Sequence, residues 1–426
     1  MINFKEFTLD NGLRVIVHED FTTPMAVLNV LYDVGWKDEN ESQTGFAHLF
    51  EHLMFSGSVN IPSYDEPLQK VGGENNAFTS PDITNYYLTV PAQNIETGFW
   101  LESDRMLDLA FDENGLEVQR KVVVEEFKQN YLNQPYGDVW LKLRPLAYDV
   151  HPYKWPTIGK EISHIADAQM EDVRGFFRKH YSPINAILVI AGNVTFEKAQ
   201  ELTQKWFGPI PSGEKYQRNL PPEPARTQAK TLEYQAKVPL TGLYKTYLMP
   251  GRTEPTYYAA DLLSDILGRG KSSRLFDQLV KERKLFNSLS ASCSGSSDTG
   301  LLIIQGKLNA GVDVHEANRA IEEINEGIIQ NGVSAAELTK VKNQAEASIV
   351  FSEIDLLNRA MNLAYSKLLG DADLVNQETK KIEAITTTDI KEQAQKVLAP
   401  TNCATLFYYA DPEATIATVT ETEEDD

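Results

Sequence analysis

Residues 44–58 read TGFAHLFEHLMFSGS, and two of the chain's seven histidines, His48 and His52, stand four apart there with Glu51 between them. On a helix at about 100° per residue, His48 and His52 lie about 40° apart and Glu51 about 60° to the other side of His48, so all three project from one face. Two neutral imidazoles that converge can hold a zinc ion at about 2.0–2.1 Å, and a carboxylate just outside that shell can take a proton from an attacking water. That is the arrangement of a hydrolytic metal centre; the plain alternative is two half-buried helix histidines with no ligand. A catalytic zinc needs a third protein ligand and one open position. The stretch NGLEVQRKVVVEEFKQNY offers Glu125 and Glu126. Adjacent helix residues point about 100° apart, so only one of them can face the metal, and geometry leaves the choice open.

Positioning those side chains falls to the surrounding elements. FKEFTLDNGLRVIVHE holds two β-rich runs about Asp10-Asn11-Gly12, a hairpin signal, and MAVLNVLYDVG follows as a third strand. Thr44 fits an N-cap and Gly57 a stop for the histidine helix, and Ser63 a cap for a short helix ended by Gly72-Gly73. NNAFTSPDITNYYLTVP reads as two strands joined at Ser80-Pro81-Asp82, and helices fill about 94–148. The amphipathic DAQMEDVRGFFRKHYSP then leads into the apolar strand NAILVIAGN and the helix TFEKAQELTQKWFG. Beyond the proline- and charge-rich PIPSGEKYQRNLPPEPARTQAK the order of elements begins again. ITTTDIKEQAQKVLAPTNCATLFYYAD, from Ile385, matches IADAQMEDVRGFFRKHYSPINAILVIAGN, from Ile165, element for element, about 220 residues on. The expectation is an α+β chain of two homologous domains from an internal duplication, each a mostly antiparallel sheet packed with helices. The first spans 1–212, a linker 213–229, and the second 230–426, with no histidine pair at its equivalent helix.

Composition narrows the function classes. A chain of 426 residues suits two domains of roughly 200 each. With 42% hydrophobic and 24% charged residues it reads as an ordinary globular protein, and no apolar run approaches the ~20 residues of a membrane span. Lys plus Arg of 40 against Asp plus Glu of 61 gives −21, which repels nucleic acid and anionic lipid and favours cationic or neutral polypeptides. Neither nucleic acid nor membrane is expected as a partner. The opening residues carry no export signal, so the cytoplasm is expected, or the periplasm if a leader has been trimmed. Cys293 and Cys403 form neither a disulfide framework nor a metal spacing and are expected as buried small residues. LGRGKSSRLF imitates a phosphate loop, but Asp265 stands where its first glycine belongs. The NVT triplet at Asn193 carries no meaning without an export signal, and the acidic ending TETEEDD is expected as a solvated tail.

HxxEH in this order is the inverzincin motif. With FTLDNGLRVIV, GGENNAFTSPDITNYYLTVP, RKVVVEEF, NAILVIAGN and SSRLF following in the family's order, the sequence resembles the pitrilysin-type zinc peptidases, and within them a processing-peptidase-like bacterial branch. The family includes insulin-degrading enzyme and the mitochondrial processing peptidases. The resemblance covers nearly the whole chain. It implies two domains enclosing a chamber, with a zinc metalloendopeptidase acting on short or unfolded polypeptides. By that match His48 and His52 are zinc ligands, Glu51 is the general base, Glu126 is the third ligand, and one Zn2+ is bound per chain. It further implies that an extended peptide adds to the strand at Asn76, Ala77, Phe78 and Thr79, whose plain reading is an ordinary hairpin.

Two departures stand out. Where many relatives carry an auxiliary glutamate seven residues before the third ligand, this chain has Gln119, which keeps hydrogen bonding but not charge. Where relatives carry an Arg and, seven residues on, a Tyr in the second domain, LVKERKLFN has Val280 and Asn287. The expectation is a dimer, with a homologous non-catalytic subunit supplying Arg and Tyr. The competing expectation is a homodimer in which Tyr244 or Tyr247 substitutes. Rival functions are a structural subunit, which an intact HxxEH argues against, and a precursor peptidase of narrow specificity.

Overall fold

The computed structural model describes residues 1–411, and the acidic ending at 420–426 lies outside the described residues. Eleven strands are described: β1 Lys5–Thr8, β2 Arg14–Glu19, β3 Met25–Tyr32, β4 Glu74–Thr79, β5 Thr84–Pro91, β6 Ala186–Gly192, β7 Lys230–Ala236, β8 Gly242–Met249, β9 Phe286–Ser294, β10 Gly300–Leu308 and β11 Cys403–Ala410. They form two sheets, ordered β1-β2-β6-β3-β5-β4 and β7-β11-β8-β10-β9. With β1 set aside, the two orders superpose strand for strand. In each, the parallel pair falls at the same place, β2 with β6 and β7 with β11, and the other pairs are antiparallel. The duplication is therefore a repeat of topology as well as of sequence pattern. The hairpin turns where expected: Gly12 sits at φ +86°, and Asn11 Oδ1 accepts from the Leu13 amide at 3.2 Å.

Alternate residues of each central strand enter different cores. On β2, Val15 and Val17 join the core beneath the histidine helix, while Ile16 faces the other way with Val27, Leu31, Ile187 and Val189. That second face is covered by Ala360, Leu363 and Ala364 of the helix Leu356–Leu368, which belongs to the other half of the chain. The exchange is reciprocal: Val139 and Leu143 of the helix Val139–Ala147 pack on Tyr244, Leu406 and Tyr408 of the second sheet. Each half thus lends a helix that covers part of a face of the other half's sheet.

Polar contacts reinforce the junction. Lys37 Nζ lies 2.7 Å from Asp82 and 3.0 Å from Asp298, and Asp82 accepts from the Ser297 amide and hydroxyl at 2.8 and 2.7 Å. Arg359 donates to Asp20 at 2.8 Å and to His18 Nε2 at 2.9 Å. The proline-rich segment after Trp206 carries no helix or strand before Lys230, yet Arg218 within it bonds Asp33 and Asp38, and Glu223 accepts from three amides at 149–151. It is a strap laid along the first half.

Because Leu363 is wholly buried against a sheet of the other half, Leu363→Ala is expected to cost about 2–5 kcal/mol. Urea unfolding followed by fluorescence should show the transition of the whole molecule moving to lower denaturant, not the release of one half alone.

Candidate metal centre

The histidine helix runs Phe46–Leu53 and buries Phe46, Leu49, Phe50 and Leu53, leaving His48, Glu51 and His52 on the opposite stripe. Its start differs from the expectation. The N-cap is Gly45, at φ +90°, where a Cβ would stand 2.8 Å from the Ile158 carbonyl oxygen, so both conformation and space require glycine. Thr44 instead accepts from the Lys160 amide at 2.7 Å and meets His164 Nδ1 at 2.9 Å. The helix amides are capped from a distance by Glu39, whose carboxylate accepts from Gly45 and Ala47 at 2.8 and 2.9 Å and from the Trp155 indole at 3.1 Å. Burial pushes the Glu39 carboxyl up to about 8, against the pull of those three N–H donors. Ser63 likewise caps nothing, since the short helix Asp65–Lys70 begins after Tyr64.

Facing the histidines is the helix Glu113–Phe127, capped by Asp112 and continued by a π-helical turn, Lys128–Leu132. Its two candidate acids part company. Glu125 turns outward to Lys128 at 2.5 Å. Glu126 turns inward: its Oε2 lies 3.7 Å from His48 Nε2 and 3.5 Å from His52 Nε2. Asn130, on the π turn, reaches the other oxygen of Glu126 at 3.5 Å. The three ligand atoms lie within 4.8 Å of one another, and this is the one such cluster of three or more His, Cys, Asp or Glu among the described residues.

The donor set fits a metal ion. Tetrahedral ligands at 2.0–2.1 Å from zinc stand about 3.3 Å apart, close to the two separations seen here and too long for strong direct hydrogen bonds. Protonation agrees: burial lowers the pKa of His48, which keeps its imidazole neutral, and the pKa of Glu126 is lowered first by its contact with His52, which keeps it ionised. Glu51 stands beside this cluster, its Oε2 accepting from the Thr79 hydroxyl at 2.7 Å.

Thr79 closes β4, the edge strand of the first sheet. Along β4 the exposure alternates, Glu74, Asn76 and Phe78 outward and Asn75, Ala77 and Thr79 half-buried, and Asn76 Oδ1 accepts from the Ala77 amide at 2.8 Å. Gln119 donates to the Ser56 hydroxyl at 3.0 Å and so ties its helix to the turn that follows the histidine helix. In the second half, Val280 packs into that half's core and Asn287 is exposed on β9. Tyr244 is buried against Val139 and Leu143 of the first half, and Tyr247 is buried and bonded to Asn325. The helix at the equivalent place, Tyr257–Gly268, carries Asp261 and Asp265 at the spacing of the histidines. Asp261 accepts from the Cys293 thiol at 2.8 Å and Asp265 pairs with Arg269 at 3.0 Å, so both are engaged internally. The residues missed by sequence reasoning are Glu39 and Asn130, and so is the bond from the Thr79 hydroxyl to Glu51; Glu39, six residues before the helix cap, gave no local signal.

A duplicated α+β chain with, among the described residues, a His-His-Glu cluster in one half only is the design of a metal-dependent hydrolase. Comparison with known proteins agrees. Residues 14–157 match the model described as insulinase (peptidase family M16), and residues 167–345 match that of the peptidase M16 inactive domain. Zinc protease PqqE of Helicobacter pylori is 30% identical over 349 residues, covering 80% of this chain and 78% of that protein. YmxG of Bacillus subtilis, an uncharacterized zinc protease, is 26% identical, covering 89% and 92%. Among solved structures, a protease from Helicobacter pylori aligns with a TM-score of 0.89 at 26% identity, over 96% of this chain and 100% of that one. Pitrilysin shares the fold, with a TM-score of 0.75 at 19% identity, over 96% of this chain and 45% of its own. The chain belongs to the insulinase family, peptidase family M16. No helix among the described residues is long and apolar enough to cross a membrane.

Removing the remote cap should be felt at the centre. Glu39→Ala leaves the Gly45 and Ala47 amides and the Trp155 indole without an acceptor, and is expected to cost about 2–3 kcal/mol. A fall in melting temperature accompanied by weaker zinc retention in a chelator competition is the expected result.

Proposed function

We propose that the chain is a zinc endopeptidase that cuts short or unfolded polypeptides laid along the edge strand β4. It is a zinc metallopeptidase with His48, His52 and Glu126 as ligands, one ion per chain, and Glu51 as general base. The observation that carries this reading is the convergence of His48 Nε2, His52 Nε2 and Glu126 Oε2 within 4.8 Å, with the Glu51 carboxylate beside them and outside the triad. The names of relatives such as zinc protease PqqE support the choice of metal.

Zinc, when bound, supplies a Lewis acid that polarises a carbonyl and makes water acidic enough to attack near neutral pH. Glu51 accepts the proton of the attacking water and hands it to the departing amine nitrogen. The backbone of Asn76, Ala77, Phe78 and Thr79 offers an open ladder on which an extended peptide gains main-chain hydrogen bonds, with the outward Asn76 and Phe78 side chains beside it. Folded substrates cannot present such a strand, which restricts the enzyme to short or unfolded chains. The reading also includes a dimer partner. With Val280 and Asn287 at the places of the cation and phenol, a homologous subunit lacking HxxEH would bring an Arg and a Tyr to the developing oxyanion.

Glu51→Gln should retain one zinc per chain and lower kcat on a mixed peptide library by at least ~100-fold; undiminished cleavage would reject Glu51 as the base. In the same assay Glu126→Gln should lose zinc, while Glu125→Gln keeps both metal and turnover. Addition of a homologous subunit should raise the rate, and full turnover by this chain alone would remove the partner from the proposal.

A further inference from the structure

The only hydrogen bond that holds the Glu51 carboxylate among the described residues comes from Thr79, at 2.7 Å to Oε2. Oε1 accepts none from the described protein and no ion pair reaches either oxygen. A glutamate side chain has several rotamers open to it on a helix surface. Beside two imidazoles and Glu126, with zinc bound, it would have a wrong place to go, since it could swing in as a further ligand and be lost as a base. Something has to hold it back without cancelling its charge. A lysine or arginine would do the first and fail the second, because a nearby cation depresses carboxylate basicity by one to three pKa units in typical cases. A hydroxyl donates one neutral hydrogen bond and leaves the second oxygen free.

Thr79 is itself firmly placed. It ends β4 opposite Thr84, and the turn that follows is closed by the Ser80 amide on the Ile83 carbonyl at 2.8 Å. The Ser80 and Pro81 carbonyls accept from the Trp36 and Lys37 amides at 3.4 and 3.2 Å, an approach that needs glycine at 35, where a Cβ would stand 2.3 Å from the Pro81 oxygen. Asp82, in the same turn, is gripped by Lys37 and Ser297. The alternation along β4 sets the Thr79 side chain on the same inward side as Ala77, toward the histidine helix, where its hydroxyl also approaches the Ala47 carbonyl at 3.5 Å.

Resting on the reading of Glu51 as base, we propose that the Thr79 hydroxyl is the positioning group that holds the Glu51 carboxylate off the metal ligands. Thr79 then belongs to the docking strand through its backbone and to the base through its side chain. A peptide that pairs with β4 is thereby held in fixed register to the carboxylate, and the side chain of Thr79 is committed to Glu51, leaving none of it for the substrate.

The test uses the full chain, with Thr79→Val, Thr79→Ala and Thr79→Ser. Valine keeps the β-branched shape and removes the donor; serine keeps the donor. Thr79→Val and Thr79→Ala are expected to lower kcat by ~10–100-fold, within the range a positioned base contributes, with KM within about twofold and zinc still at one per chain. Thr79→Ser should restore kcat to within a few-fold of the parent. A rise in KM with kcat kept would make the side chain a peptide contact and overturn the assignment, as would unchanged kinetics or loss of zinc. Should the parent protein bind zinc and cleave nothing even with the homologous subunit added, the peptidase reading fails by itself. The assignment is then decided by the visible spectrum of the cobalt-loaded protein: a coordination change in Thr79→Val that Thr79→Ser reverses sustains it, and identical spectra overturn it.

Discussion

Everything in this molecule depends on keeping two helices at one distance. His48 and His52 come from Phe46–Leu53 and Glu126 from Glu113–Phe127, more than seventy residues on, and their ligand atoms have to stay within 4.8 Å of one another for a single ion to join them. A displacement of about 1 Å in either helix would open the set beyond the 2.0–2.1 Å bonds zinc accepts. The histidine helix is only eight residues long, too short to be stable by itself, so its position is imposed from outside. Apolar packing of Phe46, Leu49, Phe50 and Leu53 fixes its depth, and Glu39 fixes its N-terminal end by taking two amides that no local cap satisfies.

Duplication explains how such placement is kept rigid. A single sheet with one helical layer would expose its other face, whereas the exchanged helices Leu356–Leu368 and Val139–Ala147 cover the outer faces of the partner sheets. The second half has retained the fold and lost the donors: Asp261 and Asp265 occupy the histidine spacing but are engaged by Cys293 and Arg269. Among the described residues the His-His-Glu cluster lies in the first half, and the second half supplies the surface against which that half is held still. The match of residues 167–345 to a domain described as inactive accords with this division.

What the sequence revealed follows the range over which each interaction acts. The Asp10-Asn11-Gly12 hairpin, the HxxEH helix and the repeat between Ile165 and Ile385 are written in residues close together or in repeated patterns, and they were legible. Thr44 and Ser63 looked like caps because their residue types suit the role, but tertiary partners took precedence: the Thr44 hydroxyl went to Lys160 and His164, and a carboxylate distant in the local sense, Glu39, supplied the acceptor. Glu125 and Glu126 could not be separated by spacing, because the difference between facing Lys128 and facing His52 is set by how one helix lies on another. The exchange of helices was invisible for the same reason. An amphipathic stripe states that a face must be covered and carries no information about which sheet will cover it.

The open edge of the first sheet follows from the same logic. Exposed edges invite pairing with other copies, and the chain keeps its other edges short or polar: β1 has four residues and β9 carries Asn287, Ser288 and Ser290. β4 is treated differently, with Glu74, Asn75 and Asn76 discouraging apolar association along six residues that lie at the sheet edge beside the His-His-Glu cluster, where Asn76 Oδ1 takes the Ala77 amide. A polar edge binds through backbone groups that every peptide possesses, so it selects for an extended chain more strongly than for any side chain. Selectivity among peptides then has to come from charge and from the walls around the edge, and with −21 on the chain the long-range field favours cationic segments.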